Sequence, residues 1–466
     1  MIKKIAFCLC SLIFLGSCDN EDKETFDLLI LNAAVVDVQS GSIIPKRLIA
    51  ISNDTIRRVD EMSNRDNYES REQLDIENKF IMPGLWDMHV HFRGGDSLIS
   101  ENKDLLPLFL AYGITTIRDA GGDITPAVLN WRNQIQDNEL DGPTIFTSGP
   151  KLDGANPAWP GSISVTGKEE VENALDSLHL LNVDYVKIYD GSLTEDAFYS
   201  IIKAAEKRDM KTTGHMPLSA DFRKAVELGL DGSEHMYYVL KASSPLADSL
   251  AKLDLGYGMM GQIIDSYDPE LAEQVFTEMK NNEVSLTPTL HISKTLGEIL
   301  DVDHSQDSLL SMIGSGIRQT YQGRIEGAKR ARERGTNMRG EMEQLVLDMI
   351  VPMYNSGVNL LAGSDSGAFN SFVYPGQSLH GELKRLVAAG LSPQQALTTS
   401  VINGPKFFDL QDFYGSIEKG NVADLIVLED NPLEEIDFAN DIDAVIKSGN
   451  IYDKHALNSM LEKLKK

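Results

Sequence analysis

The middle of this chain alternates short apolar runs with amphipathic segments, and it does so eight times. The runs lie at 84–91, 113–119, 144–148, 185–189, 211–215, 232–235, 284–290 and 359–365. Stretches with helical periodicity, such as 169–181, 195–208 and 220–228, separate them. Short apolar runs joined by amphipathic helices specify parallel strands with crossover connections. Eight such units in roughly 330 residues fit an α/β fold, a (β/α)8 barrel of the TIM type with insertions. The largest insertion, about 294–350, follows the seventh run and carries Arg318, Arg324, Lys329, Arg330, Arg332 and Arg334. A segment of this kind is either a solvated helical hairpin or a lid over the barrel mouth.

Both ends of the chain read as β-rich. Strand-like runs occur at 26–31, 34–38 and 48–51, and again at 415–420, 423–428 and 444–449. Two such ends flanking a barrel at 84–412 predict one small β-sandwich assembled from 27–83 and 413–466. Ahead of it, Lys3 and Lys4 precede an apolar run, 5–15, too short to span a bilayer. Residues 1–17 therefore read as a secretory signal. The segment Leu15-Gly16-Ser17-Cys18 resembles the lipobox of bacterial lipoproteins, which implies lipidation at Cys18 and an acidic tether over 18–26. The expected address is an exported lipoprotein facing the periplasm or the cell surface.

All three cysteines (Cys8, Cys10, Cys18) lie in this leader, so the remainder has no disulfide and no thiolate metal site. The formal net charge is -27, and the leader contributes two lysines and no acid. A body this acidic repels nucleic acid and anionic lipid surfaces. Membrane contact is then left to the anchor, and the expected partner is a small molecule or short peptide; a homo-oligomer stays open.

The polar residues at the ends of the runs carry the chemistry. The first run ends Asp87-Met88-His89-Val90-His91, and alternate residues of a strand share a face. The fourth holds Lys187 among apolar neighbours; the fifth ends at His215, the sixth at His235 and the eighth at Asp365. Barrel active sites sit at these carboxyl ends. A lone histidine there is usually structural, a lone lysine usually snorkels, and Asp365 alone could cap a helix. Yet the chain has nine histidines, and four fall at strand ends. His, Asp and Lys side chains converging on one face point to metal binding.

The run Met82-Pro83-Gly84-Leu85-Trp86-Asp87-Met88-His89-Val90-His91 resembles the first-strand motif of the amidohydrolase superfamily. Similarity continues through 113–119, the Thr287-Pro288-Thr289-Leu290 segment, 379–383 and 415–425. The spaced Lys187, His215, His235 and Asp365 resemble its binuclear subtype. That resemblance implies two divalent ions, zinc foremost, with His89, His91 and Asp365 on the first and His215 and His235 on the second. It implies a carbamylated Lys187 bridging both, and Asp365 taking a proton from a metal-bridging hydroxide. Superfamily deaminases usually carry His-x-x-Glu at the fifth strand; here Met216, Pro217 and Leu218 follow His215, so that reading loses ground.

The overall pattern resembles the imidazolonepropionase-like branch, whose binuclear members include Xaa-Pro and other dipeptidases. This implies an amide hydrolase acting on dipeptides or N-acyl amino acids. Arg93, two residues past His91, also resembles the dihydroorotase and hydantoinase motif, in which the arginine grips a substrate carboxylate; a rim ion pair is the plainer alternative. A cyclic amide or lactone hydrolase is therefore the second enzyme reading, and a non-catalytic small-molecule-binding lipoprotein the third. Tyr237, Tyr238 and His380 are candidate substrate contacts. His291 reads as structural, and Asn156 and Trp159 either shape the pocket or belong to a surface loop.

Overall fold

The computed structural model describes residues 23–465; the signal segment and Cys18 lie outside them. Eight parallel strands close into a barrel. In order they are Leu85–His91, Ile114–Asp119, Thr144–Thr147, Val186–Ile188, Thr212–Gly214, Gly232–Glu234, Ser285–Thr287 and Asn359–Leu360. Adjacent strands pair in parallel register, for example Thr116 with Thr144 and Lys187 with Thr213. The third and fourth are joined where Asp184 N–H donates to Thr147 O (2.9 Å), and the ring closes where Met88 N–H donates to Ala362 O (2.9 Å). All eight coincide with the apolar runs, and each is shorter than its run. The seventh stops at Thr287, because Thr289 takes a left-handed backbone (φ 51°) and caps the helix Leu290–Gly297.

The crossover helices form for local reasons. In Glu195–Glu206, Thr194 caps the start by accepting from Ala197 N–H, and Phe198, Ile201, Ile202 and Ala205 fall on the buried face. Removing such side chains from water is worth roughly 1.5–3 kcal/mol for each large one. Gly214, at the end of the fifth strand, sits at φ 148°, where a Cβ would fall 2.1 Å from Ile188 O. Only glycine lets those two strands approach just before His215.

The two chain ends build one eight-stranded mixed sheet, running from Asn450–Asp453 through Ile442–Lys447, Leu425–Leu428, Phe80–Pro83 and Glu24–Asp37 to Ser42–Ser52 and Thr55–Glu61, with Tyr68–Asp75 also on Glu24–Asp37. It curls over its own core of Leu28, Ile30, Ile49, Ile51, Leu425, Val427 and Ile446. Two expectations need correction. The first strand begins at Glu24, inside the expected tether, and 415–420 is not a strand. Residue Gly420 N–H instead donates to Ile56 O, fixing that turn against the sheet. A terminal helix, Lys454–Leu464, has Leu461 and Leu464 packed beside Leu105 and Leu108. Among the described residues, no helix is long and apolar enough to cross a membrane.

The insertion folds as short helices, Ser315–Thr320 and Gln322–Glu333, ahead of the long helix Met338–Ser356. Gln322–Glu333 buries none of its residues fully, as a solvated helix would. It nonetheless leans on the barrel mouth: Arg324 donates to Phe369 O (3.3 Å) and to Asn370 Oδ1 (3.2 Å).

Candidate metal centre and substrate cavity

At the carboxyl ends of the strands, the six residues expected as ligands come together. His91 Nε2 lies 3.2 Å and His89 Nε2 3.6 Å from Asp365 Oδ1, and the two imidazole nitrogens are 3.3 Å apart. One ligand atom from each of these three falls within 4.8 Å of the others, a spread that one ion can span. His215 Nε2 and His235 Nε2 are 3.1 Å apart, and His235 Nε2 is 3.9 Å from Asp365 Oδ2. Lys187 is fully buried, and its Nζ makes no hydrogen bond; Glu234 Oε1 is 3.5 Å away.

The electrostatics suit cation binding. Burial and the charge of Lys187 push His89 below its usual pKa, and burial holds His91 and His235 well below theirs. Neutral imidazoles offer a lone pair to a metal where imidazolium cannot. Burial alone would raise Asp365, but His89, His91 and His235 around it hold the carboxyl well below the ordinary range. Burial also lowers Lys187 to about 8. A fraction of that amine is then neutral near pH 7, which is the form that combines with carbon dioxide. An orphaned buried amine beside nitrogen and carboxylate donors thus fits a divalent centre with a lysine-derived bridge.

Apart from Lys187, the candidate ligands each face an outer partner. His89 Nδ1 contacts Glu234 Oε2 at 2.6 Å, and Glu234 is gripped in turn by Arg118 (2.8 Å) and Thr213 (2.8 Å). His91 Nδ1 is 3.1 Å from Gly121 O, and His235 Nδ1 is 2.6 Å from Thr289 Oγ1. His215 Nδ1 faces Asp190 Oδ1 at 3.4 Å, while Tyr257 donates to Asp190 at 2.8 Å. Such contacts fix the tautomer and aim the metal-facing nitrogen. Asp365 is fixed by Asn370 Nδ2 (2.8 Å), and its own N–H donates to His89 O (2.7 Å). Asp87, raised to about 7 by burial, takes Ser364 Oγ–H at 2.6 Å and so ties the eighth-strand loop to the first strand. His235 and Asp365 both adopt left-handed backbone (φ 63° and 55°), strain that clusters where ligands must be aimed.

Sequence reading missed Glu234, Arg118, Asp190 and Asn370. Glu234 stood in view beside His235 but alternates to the other side of the strand in sequence logic. The remaining three come from separate elements, and nothing in their local sequence marks them. It also missed Lys151, 1% exposed and without a hydrogen-bond partner, behind Trp159 and Tyr189.

Beyond the ligands opens a cavity of about 280 Å³, lined by Arg93, Trp159, Tyr237, Leu296, Arg324, Met342 and Asp365 among others. Arg93 forms no rim ion pair: its Nε donates to Ala368 O (2.9 Å), and its guanidinium stacks 4.1 Å from the Trp159 ring. Tyr237 reaches the cavity, but Tyr238 does not. Tyr238 is buried, with its hydroxyl on Asp190 (3.3 Å) and Tyr257 (3.0 Å). His380 is also outside it, its Nε2 2.9 Å from Tyr112 O on the flank of the barrel, so its expected substrate contact is not formed. His291 packs on Gly381, and Asn156 is exposed with its N–H on Ser192.

A profile described as the Amidohydrolase family matches residues 80–452. The chain belongs to that family of enzymes. It is 37% identical over 87 residues to an adenine deaminase of Petrotoga mobilis, 18% of this chain and 14% of that one. It is 44% identical over 66 residues to a dihydroorotase of Carboxydothermus hydrogenoformans, 14% of each. The chain thus spans well under half the length of these curated relatives. A solved Xaa-Pro dipeptidase with bound methionine shares the fold, with a TM-score of 0.67 and 20% identity over 91% of this chain and 99% of that one.

Proposed function

We propose that this protein is a metal-dependent hydrolase that cleaves a C–N amide bond in a dipeptide, such as Xaa-Pro, or in an N-acyl amino acid. The observation that carries this reading is the convergence of four histidines, Asp365 and the unbonded Lys187 at the base of one cavity. His89, His91 and Asp365 would hold one divalent ion, His215 and His235 a second, and carbamylated Lys187 both. When bound, such ions, zinc foremost, supply an activated water and a Lewis acid for the scissile carbonyl. Asp365 accepts the proton of the attacking water and hands it to the departing nitrogen. Asn370 keeps its carboxylate turned toward that place. Arg93, Tyr237 and Trp159 line the space where substrate would lie.

The test is a hydrolysis screen of dipeptides, N-acyl amino acids, cyclic amides and lactones, with and without chelator. Chelator-sensitive cleavage of a linear amide is expected, and Asp365→Asn should lower kcat by at least about a hundredfold. Cleavage confined to ring substrates would shift the reading to a cyclic amide or lactone hydrolase, which the dihydroorotase likeness and Arg93 favour. Unaltered ligand binding with no turnover by any protein, metal-loaded or not, would leave a small-molecule-binding protein. We further propose export and anchoring through Cys18, with no other membrane contact and no nucleic-acid partner; Cys18→Ser should release the protein from the membrane fraction.

A further inference from the structure

The wall of the cavity carries three arginines, Arg93, Arg324 and Arg339. Among the described residues none of the three has a carboxylate at ion-pair distance. Arg93 is buried, and among the described residues its side chain bonds only Ala368 O. Arg324 bonds Phe369 O and the Asn370 side-chain oxygen, both neutral acceptors. Among the described residues, the Arg339 side chain makes no hydrogen bond. Other buried or half-buried arginines do meet an acid: Arg118 meets Glu234, Arg132 meets Asp184, and Arg223 and Arg385 meet Glu278 and Glu343. In a chain with 70 acids against 43 Lys and Arg, three neighbouring arginines without an acid are unexpected.

Arg324 lies near Arg339, whose charge adds to burial in lowering it below its usual value. Asp365 is the carboxylate that faces them, and it is engaged with His91 and Asn370. A guanidinium withdrawn from water without an anion is costly unless a ligand provides one. The same cavity also has apolar lining, from Ile292, Leu296, Met342 and Val346. Arg324 and Arg339 also line an outer cavity of about 550 Å³ across the insertion, so they stand where the two spaces join.

We propose that Arg324 and Arg339, supplied by the insertion, act with Arg93 as a carboxylate subsite, and that Leu296, Met342 and Val346 receive an apolar side chain or acyl group of the same substrate. The selected substrates are then amides with one free carboxylate and one apolar half. Neutral amides and esters of the same shape bind poorly. The geometry suits paired hydrogen bonds from a guanidinium to a carboxylate, which no lysine could replace in kind.

This assignment rests on the same cavity as the hydrolase reading, and a binding measurement separates the two. Titration calorimetry on the zinc-loaded full chain would compare 4-methylpentanoate with 4-methyl-1-pentanol, an uncharged molecule of the same shape. The acid should bind at least roughly tenfold tighter. Arg324→Gln should remove that preference, and Arg339→Gln should reduce it, while neither changes affinity for the alcohol. Equal affinities in the wild type would overturn the subsite. So would a preference retained in both variants, since the anion would then be held by the metals alone. If no amide is cleaved but the arginine-dependent preference persists, the hydrolase reading fails and the subsite stands.

Discussion

The floor and the roof of the cavity are built in opposite ways. On the floor the proposed ligands sit on or just beyond barrel strands, are nearly or fully buried, and three of the histidines, His89, His91 and His235, have their second ring nitrogen tied to another group. Glu234 alone is held by Arg118, Thr213, His89 and, more distantly, Lys187. On the roof, Arg324 hangs from a helix with no fully buried residue, and Arg339 has no ion pair among the described residues. Strand ends are fixed by both neighbours in the ring and can hold atoms to the tolerance that metal chemistry needs. A helical insertion is fixed at fewer points and can change its side chains without disturbing that chemistry. Under the proposed function, the difference places the reaction on the floor and the choice of substrate on the roof.

Variants can break or sharpen this division. The largest effect should come from Lys187→Ala. It should lower the metal content of the purified protein, measured by mass spectrometry, from two ions per chain to at most one. Activity should fall by more than the 10–100-fold typical of losing an outer partner, for every substrate alike. A protein that keeps two ions and full activity would remove Lys187 from the floor.

Next in size is Glu234→Gln, which leaves all ligands in place but exchanges the carboxylate behind His89. Metal affinity measured by competition with a chelator should weaken by about 10–100-fold, and added zinc should restore much of the activity. A roof variant should behave differently. Met342→Ala should raise KM several-fold for substrates with a large apolar half, with kcat retained and substrates with small side chains unaffected. If kcat fell equally for all substrates, the division between floor and roof would not hold.

The smallest effect concerns stability. Burial raises Glu382 to about 7 from an ordinary 4.5, against the pull of its bonds from the Leu290 and His291 N–H groups. Between those two pH values the folded chain keeps a proton that the unfolded chain has released. Stability should therefore decline as pH rises from 4.5 through 7. Glu382→Gln should flatten that slope in denaturation curves while leaving zinc affinity untouched; an unchanged slope would place the proton elsewhere.

Much of this was legible in the sequence, and unevenly so. The His89 and His91 pair was readable because alternation on a strand is a local rule, and Lys187 because a lysine inside Val186–Ile188 has nowhere polar to go. His380 misled, since its nearness to the eighth strand in sequence did not survive the turn of helix Gln377–Ala388, which directs it to Tyr112 O. Tyr237 and Tyr238 were indistinguishable until their helix faced one to the cavity and the other to Asp190.

The sequence by itself determined the barrel, its order of strands, the convergence of six metal-capable side chains and the pairing of the two chain ends, because each follows from periodicities of two or 3.6 residues and from turn chemistry within a few residues. Only the tertiary structure decided which groups stand behind those ligands, which tyrosine meets the cavity, and that Arg93, Arg324 and Arg339 share a wall without an acid. Those are meetings between residues as many as 246 positions apart in chain number, from Arg93 to Arg339. No local pattern encodes them, because packing brings them together only after the strands have closed.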